Sequence, residues 1–516
     1  MNTSTQDTSP EPLPFQAIAD MVRTHASARP GHRAMVQGER SVTWAEVNAM
    51  ADRVAASLQR DGVKPGESIA ICAANSLEYA MVFLGALRAG VVVAPLPTGA
   101  VPAQLAAMVA DSGAGHFFVD AAAARLETSS RSIVMDGFES RSLNAWLAPE
   151  GARPQPVTIE PEWAFNIIYS SGTTGTPKGI VQSHAMRWSH VSRAEDYGYG
   201  TDSVTLIATS LCSNTTLVCF FPAVAQGGCV VLAPPKFDAY AYLTLAQKVG
   251  ATHAMLVPVQ YRRIMALPQF DNFDLSSFRM KFCTSAPFHA ELKADILKRW
   301  PGGLVEFYGM TEGGGSCILE AHNFPHKLHT VGKPAEGHDM RLIDEAEREL
   351  PVGAIGEVVG RSGSMMTGYH KQPAKTQEAE WYSPAGERYI RTGDVGRFDE
   401  DGFLTLMDRR KDMVISGGFN IYPSDLEAVL REHPGVADVA VVGVASQEWG
   451  ESPVAFVVRA ASAPTMQAQE LRAWANANLS KTQRLADVLF IDELPRSDIG
   501  KVLKRQLRDA YVEGSS

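Results

Sequence analysis

The chain has 516 residues, of which 45% are hydrophobic and 20% are charged, and its formal net charge is −10 at pH 7. This composition is that of an ordinary globular protein, and a chain this long is expected to form two or more domains. The negative balance, without any block of like charges, argues against nucleic acid or an anionic membrane as the main partner.

The cysteines and the apolar stretches indicate the compartment. None of the six cysteines has CxxC spacing, so we expect free thiols in a reducing environment. Residues 1–14 are rich in Ser, Thr and Pro, which predicts disorder rather than a signal peptide. The most apolar stretch, 215–235, is interrupted by Pro222 and a Gly pair and is a poor membrane span. A cytoplasmic location is therefore expected.

The first clear element is an amphipathic helix beginning near residue 43. Thr43 and Glu46 have the spacing of a capping box. Apolar side chains then recur three and four residues apart on one helix face: Trp44, Val47, Ala51, Val54 and Leu58.

From residue 68 onward, short β-rich runs alternate with helical stretches. This alternation predicts an α/β fold with layered, mainly parallel sheets. The stretch 77–89 is apolar nearly all round, as in a helix buried between layers, and Gly90 provides its end. The β-rich runs are 68–73, 91–96, 164–169, 253–258 and 304–309.

The pattern changes after about residue 345. Turn-rich β sequence continues to Asp408, and 412–516 is predicted to be a compact α+β unit of two helices and several strands. The sequence therefore predicts a disordered segment 1–14, a large domain 15–408, a boundary at 409–411 and a small domain 412–516.

The strongest chemical signal is YSSGTTGTPKG, residues 169–179, directly after the predicted strand 164–169. Small residues let backbone N–H groups approach a phosphate, hydroxyls add donors, and Lys178 adds charge. The glycine-to-lysine spacing differs from that of a Walker A loop. The alternative is a plain Gly/Ser/Thr surface loop.

This string resembles the phosphate loop of the adenylate-forming superfamily, which includes acyl- and aryl-CoA synthetases, peptide-synthetase adenylation domains and firefly luciferase. The resemblance covers nearly all of 15–510, and the SGGFNIYPSDLE stretch is most similar to the benzoate- and fatty-acyl-CoA ligase branch. The other similar motifs, in the family's order, are TSAP (284–287), EFYGMTE (306–312), RTGDVG (391–396), DRRKDMVISGGFNIYPSDLE (408–427) and PRSDIGKVLKR (495–505).

The resemblance implies roles for individual residues. Tyr308 would stack on adenine, Asp394 would bind both ribose hydroxyls, and Lys501 would contact the carboxylate and the α-phosphate. The implied catalytic residues are Lys501, Thr174 and Glu312, with Glu312 also the magnesium ligand. The implied ATP-binding set is Ser170, Ser171, Gly172, Thr173, Thr174, Gly175, Lys178, Ser285, Ala286, Pro287, Glu306, Tyr308, Gly309, Thr311, Asp394, Arg409 and Lys501. Without the resemblance, Glu312 would equally suit a carboxylate at a helix N-terminus, and Lys501 would be a surface lysine.

The thiol step is implied at the C-terminal end. The implied coenzyme A contacts are Gly417, Gly418, Trp449 and Arg484, and Lys411 matches the family's hinge position. The nucleotide end of coenzyme A is the less regular contact, because Thr482 and Ala486 replace an aromatic residue and a Lys.

The acyl pocket departs most from the family. Many relatives carry a Pro-Leu-Phe-His-like string where residues 209–214 read TSLCSN. The implied pocket residues are Ser213, Asn214, Cys283, Gly309 and Gly314. Because two small polar residues replace a His or an aromatic residue, the substrate cannot be carried over.

The sequence thus predicts a ligase that uses ATP, Mg²⁺ and coenzyme A to activate an aromatic, alicyclic or medium-to-long aliphatic acid, with a small domain that moves between two half-reactions. One alternative is an adenylating enzyme that loads a carrier protein, and a second is a non-catalytic acyl or nucleotide sensor. The expected partners are small molecules, without nucleic acid or a membrane span, and a homodimer is left open.

Overall fold

The structure is a computed structural model. It describes residues 13–124, 126, 128, 130–136, 142–170, 178–409, 411–416, 419–447, 449–480, 483–497 and 500–514. The predicted phosphate-loop residues Ser171, Gly172, Thr173, Thr174 and Gly175, and the predicted coenzyme A contacts Gly417 and Gly418, lie outside the described residues, as does the predicted disorder over most of 1–14.

Helices and strands both contribute substantially. The α-helices are α1 (Ile18–Ala28), α2 (Trp44–Arg60), α3 (Leu77–Arg88), α4 (Pro102–Ser112), α5 (Leu143–Trp146), α6 (His184–Val191), α7 (Asn214–Ala225), α8 (Ala239–Val249), α9 (Pro258–Met265), α10 (Ala290–Arg299), α11 (Pro373–Glu378), α12 (Pro423–Arg431), α13 (Ala468–Asn478) and α14 (Lys504–Gly514). Short 3-10 helices cover Glu195–Tyr197 and Phe270–Asn272.

The strands are mostly short. They are β1 (Arg33–Gln37), β2 (Arg40–Thr43), β3 (Ser68–Cys72), β4 (Val92–Pro95), β5 (His116–Val119), β6 (Arg131–Val134), β7 (Ala164–Ser170), β8 (Lys178–Ser183), β9 (Val204–Ile207), β10 (Cys229–Leu232), β11 (His253–Leu256), β12 (Met280–Cys283), β13 (Gly303–Gly309), β14 (Ser316–Glu320), β15 (Lys333–Pro334), β16 (Asp339–Ile343), β17 (Gly356–Arg361), β18 (Gly368–Tyr369), β19 (Glu380–Tyr382), β20 (Arg388–Phe398), β21 (Leu404–Arg409), β22 (Val414–Ser416), β23 (Phe419–Ile421), β24 (Val436–Ser446), β25 (Gly450–Arg459) and β26 (Asp487–Phe490).

The chain divides into two compact units, and the first comprises 1–237, 248–254 and 366–371. Its main sheet has the order β18-β8-β7-β4-β3-β5-β6. Strands β3 to β7 pair in parallel there, and β8 and β18 add antiparallel partners. In its other sheet β9, β10 and β1 are parallel and β2 returns antiparallel. The mainly parallel α/β fold is confirmed.

The second unit comprises 238–247, 255–365 and 372–516. One layer runs β12-β13-β14-β15, a β-rich part runs β16-β17-β20-β19 with β21 beside β20, and the C-terminal sheet runs β23-β22-β25-β24 with β26 beside β25. The predicted boundary at 409–411 is not the division between these units, and it stays a prediction about a hinge.

The local predictions for the N-terminal helices are confirmed. Thr43 and Glu46 form a reciprocal capping box at the start of α2. Helix α3 is buried on nearly every side, and Gly90 follows it with a φ of 69°. A left-handed residue after the last helical turn is a common helix end and suits glycine.

The C-terminal segment has more helix than predicted, because α14 accompanies α12 and α13. Successive residues of β24 point to opposite faces of the sheet. On one face Val439 and Val441 pack with α12 and α13, and on the other Ala440 and Val442 pack with Leu507 of α14. The prediction of two helices was therefore wrong: the second face of the sheet needs a cover, and α14 provides it despite its highly charged sequence.

All six cysteines are free, as predicted. Cys72, Cys219, Cys283 and Cys317 are buried, and Cys212 and Cys229 are half-buried. Burial raises the pKa of the Cys72 and Cys219 thiols to about 12. In the described ranges, no helix combines the length and the apolar character needed to cross a bilayer.

Candidate active site

The two strands that flank the predicted phosphate loop form an antiparallel pair in the first unit. Ser170 ends β7 and lies opposite Lys178, which begins β8. The Lys178 Nζ lies 5.2 Å from the centre of the Tyr369 ring, within cation–π range. On β7, the Tyr169 hydroxyl donates to Asp111 Oδ2 at 2.7 Å. Both ends of the loop are therefore anchored by residues that the sequence motifs did not indicate.

The predicted adenine-side loop follows β12 in the second unit. The Thr284 hydroxyl donates to the Phe307 carbonyl on β13 at 2.8 Å, which ties the loop to the neighbouring strand. Ser285 has a φ of 84°, a left-handed conformation that is uncommon for residues other than glycine. Such strained residues cluster at binding sites. Ala286 is half-buried and Pro287 is exposed.

The predicted adenosine contacts come together at the end of β13. The Tyr308 hydroxyl donates to Asp394 Oδ2 at 2.9 Å. The Asp394 N–H donates to the Thr392 hydroxyl at 3.1 Å, and Asp394 lies opposite Arg409 across β20 and β21. Burial, together with the Asp394 charge, raises the pKa of Tyr308 well above its ordinary value. The Tyr308 ring suits stacking on a base, and the Asp394 carboxylate suits hydrogen bonds to a ribose.

Glu306 lies two residues before Tyr308 on β13, and it is opposite Cys283 on β12. The Glu306 side chain is buried and forms an ion pair with Lys293 of α10, which also donates to the carbonyls of Leu328 and Thr330. Since its carboxylate is committed to Lys293, an ATP contact of Glu306 would have to come from its main chain.

The predicted pocket residues Gly309 and Gly314 are both in close contact with neighbours. An ideal Cβ on Gly309 would lie 2.8 Å from Ser316 Oγ, and one on Gly314 would lie 2.4 Å from Ile390 Cβ. Close packing accounts for Gly314 and for the fully buried Cys283 without a pocket.

Thr311 and Glu312 lie in the turn between β13 and β14, which the Gly313 N–H to Met310 carbonyl bond closes at 3.0 Å. No helix begins at Glu312, so the alternative of a helix N-terminal carboxylate is wrong. Among the described residues no three His, Cys, Asp or Glu side chains cluster as a metal site. One carboxylate beside phosphate oxygens is nevertheless how Mg²⁺ is commonly held, so Glu312 fits that ion.

Ser213 and Asn214 begin α7 in the first unit. Ser213 caps the helix by accepting the Thr215 N–H at 3.2 Å. The Asn214 side-chain oxygen accepts from Arg187 at 3.0 Å and from Gln182 at 3.3 Å. Asn166, Gln182, Arg187 and Asn214 form what we call the Arg187 cluster, a polar group that sequence motifs did not reveal.

Lys501 lies at the end of a tight turn. The Gly500 N–H donates to the Ser497 carbonyl at 2.7 Å, and the Ser497 N–H donates to the Lys501 carbonyl at 2.8 Å. Gly500 has a φ of 78°, and an ideal Cβ on it would lie 3.0 Å from Val259 Cγ1 of α9. Glycine is therefore required here by both conformation and space.

The remaining predicted residues lie on the surface of the C-terminal segment. Lys411 is exposed in the turn after β21, and Arg484 is exposed. Trp449, beside the Ser416 to Gly450 strand pairing, is 52% exposed. An exposed indole suits a ligand or partner surface.

Comparisons with known proteins find relatives over nearly the whole chain. Residues 22–370 match the family model described as AMP-binding enzyme, and 425–501 match AMP-binding enzyme C-terminal domain. The chain is 32% identical over 505 residues to a feruloyl-CoA synthase of Amycolatopsis sp, covering 96% of this chain and 99% of that protein. It is 30% identical to the fatty acid–[acyl-carrier-protein] ligase ScoC of Streptomyces coeruleorubidus, covering 96% and 97%.

Among solved structures, the fold matches ATP-bound MatB from Rhodopseudomonas palustris with a TM-score of 0.84 and 28% identity, covering 96% of this chain and 99% of that one. Because the family models and the relatives span almost the whole sequence, the chain belongs to the AMP-binding enzyme family, in the acyl- and aryl-CoA ligase branch of the adenylate-forming superfamily.

Proposed function

We propose that the protein is an AMP-forming carboxylate–CoA ligase for an aromatic, alicyclic or medium-to-long aliphatic acid. The observation that carries the proposal is the joining of Tyr308 to Asp394, with Arg409 opposite, because three separate motifs meet there as adenosine recognition requires. A sensor would need the same nucleotide contacts but not a lysine in the position of Lys501.

The chemistry needs two steps. A carboxylate oxygen attacks the α-phosphorus of ATP, and the bond to pyrophosphate breaks, which leaves an acyl-adenylate. A thiolate then attacks the acyl carbon, AMP leaves, and the thiol proton goes to solvent. In the first step Lys178 and Lys501 offset the negative charge that crowds the phosphates. Mg²⁺, when held by Glu312, would neutralise charge on the phosphate oxygens.

The substrate class rests on the residues near the start of α7. Ser213 is half-buried at the helix start, Val218 is half-buried, and Phe220 and Phe221 are buried behind them. Pockets commonly combine apolar walls with a few orienting polar groups. The similarity to a feruloyl-CoA synthase supports an aromatic acid. Acetate should be poor, because it buries too little apolar surface.

The acceptor is proposed to be free coenzyme A. The similarity to ScoC keeps a carrier protein as the second candidate, since that relative is named as an acyl-carrier-protein ligase. The exposed Trp449 suits the nucleotide of coenzyme A, which a carrier-bound phosphopantetheine lacks. Trp449→Ala should therefore raise the KM for coenzyme A and leave transfer to a holo-carrier unaffected.

The test is a pyrophosphate-release screen with MgATP over aromatic, alicyclic and fatty acids of graded length, followed by thioester formation with coenzyme A or holo-carrier. Pyrophosphate release with any acid excludes the sensor reading. If acetate gave the highest kcat/KM, the proposed substrate class would be wrong. If only the holo-carrier accepted the acyl group, the carrier-loading alternative would replace this proposal.

We further propose that the C-terminal segment rotates about Lys411 between the two steps, because Lys501 serves the first and the Gly417-Gly418 stretch serves the second. Lys501→Ala should slow adenylation by about 10²–10³-fold and spare transfer from a supplied acyl-adenylate. Lys411→Pro should spare adenylation and block transfer, because proline fixes φ at about −65°. Equal losses in both half-reactions for both variants would contradict rotation.

A further inference from the structure

Arg496 holds the turn that presents Lys501. Its Nη1 donates to the Gly500 carbonyl at 2.7 Å, and its Nη2 donates to Asp438 Oδ2 at 2.6 Å. The Gly500 carbonyl belongs to the peptide unit that contains the Lys501 nitrogen. One rigid guanidinium therefore connects the backbone next to Lys501 to a carboxylate on β24.

The described residues next to this peptide unit are hydrogen-bonded as well. Arg496 and Val502 pair as an isolated antiparallel bridge at its base. Inside it, the Lys501 N–H donates to the Ser497 hydroxyl at 3.2 Å. Because these bonds hold the backbone on both sides of Lys501, the Arg496 contact at the Gly500 carbonyl orients the backbone from which the Lys501 side chain extends.

Asp438 is also shared with a segment distant in sequence. Arg262 Nη1, on α9, lies 3.4 Å from the same Oδ2 atom. The Val259 side chain, one helical turn earlier, lies against the Gly500 position. The three charged side chains are 20–39% exposed, so each ion pair adds little stability by itself. Their geometry, rather than their energy, is the distinctive feature.

We propose that Arg496 and Asp438 are positioning residues for Lys501 in adenylation, and that Arg262 completes the arrangement from α9. This inference rests on the role of Lys501 under the proposed function. It assigns to Asp438 a double contact: with Arg496 it fixes the turn, and with Arg262 it holds that turn against α9. Rotation of the C-terminal segment would separate Arg262 from Asp438 but leave Arg496 with it.

The experiment measures the two half-reactions separately, pyrophosphate release from acid plus MgATP and thioester formation from synthetic acyl-adenylate plus coenzyme A. Arg496→Gln should lower the rate of the first by about 10–100-fold, the scale of a misplaced catalytic group. Arg262→Gln should lower it by about 2–5-fold, as for a partly exposed ion pair. Arg496→Lys should fall between wild type and Arg496→Gln, because one ammonium cannot span both acceptors.

The KM for ATP and the second half-reaction should stay within about twofold of wild type, because the affected group acts in the transition state of the first step.

The matched control is Arg459→Gln. Arg459 is an arginine of the same segment whose Nε donates to the Met466 carbonyl at 3.1 Å and whose guanidinium stacks on Phe490. This variant should leave both half-reactions unchanged, and the melting temperatures of all variants should be compared. A loss in both half-reactions with Arg496→Gln, in parallel with a lowered melting temperature, would show a merely structural role and overturn the inference.

A double variant tests whether Arg496 acts through Lys501. Adding Arg496→Gln to Lys501→Ala should cause no further loss of adenylation, since the group being positioned is already absent. A further loss of full size would overturn the inference alone. If Lys501→Ala itself left adenylation intact, the role of Lys501 under the proposed function would fail, which separates that failure from this one.

Discussion

Arg187 in the first unit and Lys293 in the second are each 1% exposed, but their surroundings differ. Lys293 is next to a full negative charge, the Glu306 carboxylate, and donates to two carbonyls. Among the described residues, no carboxylate contacts Arg187. Its Nη2 donates to the side-chain oxygens of Asn166, Gln182 and Asn214 at 2.6–3.2 Å, and its guanidinium faces the rings of Phe165 and Phe221.

Burial disfavours the charged form in both environments. Burial lowers the pKa of Arg187 to about 9. Burial raises the pKa of Glu306, although the Lys293 charge opposes the change. Removing one partner of a buried ion pair leaves the other charge without a counter-charge. Removing a cation that is held by dipoles and rings leaves only neutral groups without their donor. The comparison therefore predicts different responses to substitution in the two units.

The largest effect is expected when the pair in the second unit is broken. Lys293→Met leaves the Glu306 carboxylate buried without a counter-charge, which should lower the free energy of unfolding by about 3–5 kcal/mol. Urea unfolding monitored by tryptophan fluorescence measures it. The double variant Lys293→Met with Glu306→Leu should recover most of the loss. A small loss in the single variant would mean that the pair does not hold its charge as described.

The second-largest effect is a pH dependence of stability that differs between the two units. The His184 ring packs on the same Phe165 ring that Arg187 faces, and burial lowers the pKa of His184 to about 4. Its folded pKa lies below its unfolded value, so the stability it contributes is present above about pH 6.5 and is lost as the pH falls through 4, by roughly 3 kcal/mol. Glu306 has the opposite sign: its contribution is present at low pH and is lost as the pH rises through its raised pKa.

The measurement is the urea midpoint between pH 7 and pH 4 for wild type and His184→Leu. The wild-type midpoint should fall more steeply with acid than that of the variant. Parallel curves would contradict the buried neutral state of His184, and Lys293→Met provides the comparison for the second unit over the same range.

The smallest effect is expected for Arg187. Arg187→Met should cost about 1–3 kcal/mol, because the amide oxygens lose their donor but no carboxylate is stranded. Replacing Gln182 and Asn214 by Leu as well should return stability to near or above wild type. The matched control is Arg88→Met in the same unit, where Asp52 is the buried partner at 2.7 Å and the loss should be larger. Equal losses for the two arginines would remove the distinction.

The sequence predicted the elements whose pattern is local. The capping box at Thr43, the buried helix α3 and the strands β3, β4, β7, β11 and β13 lie where periodicity placed them. Among the site residues, Tyr308 and Asp394 were predicted from motifs and do meet. The two residues lie 86 positions apart in the sequence, so only the resemblance indicated their contact.

The residues that sequence reasoning missed share a physical reason. Arg187 and Lys293 lie on ordinary-looking amphipathic helices, and Asp438 lies on a valine-rich strand. Whether a charged side chain is buried, and which partner it meets, is a tertiary property that local pattern does not contain. Helix α14 was missed for a related reason, since the buried Leu507 lies within a highly charged sequence.

The burial of the native cysteines allows fluorescent dyes to be attached at introduced cysteines, and such dyes can test the proposed rotation. Thiol reagents attack the thiolate, and burial raises the thiol pKa of Cys72, Cys219, Cys229, Cys283 and Cys317, so these should label slowly at neutral pH. A Cys212→Ser background with one cysteine introduced at the exposed Val512 and another at the exposed Val352 would accept a donor and an acceptor dye. Energy transfer between them would then test the proposed rotation of the C-terminal segment, in single molecules and in real time.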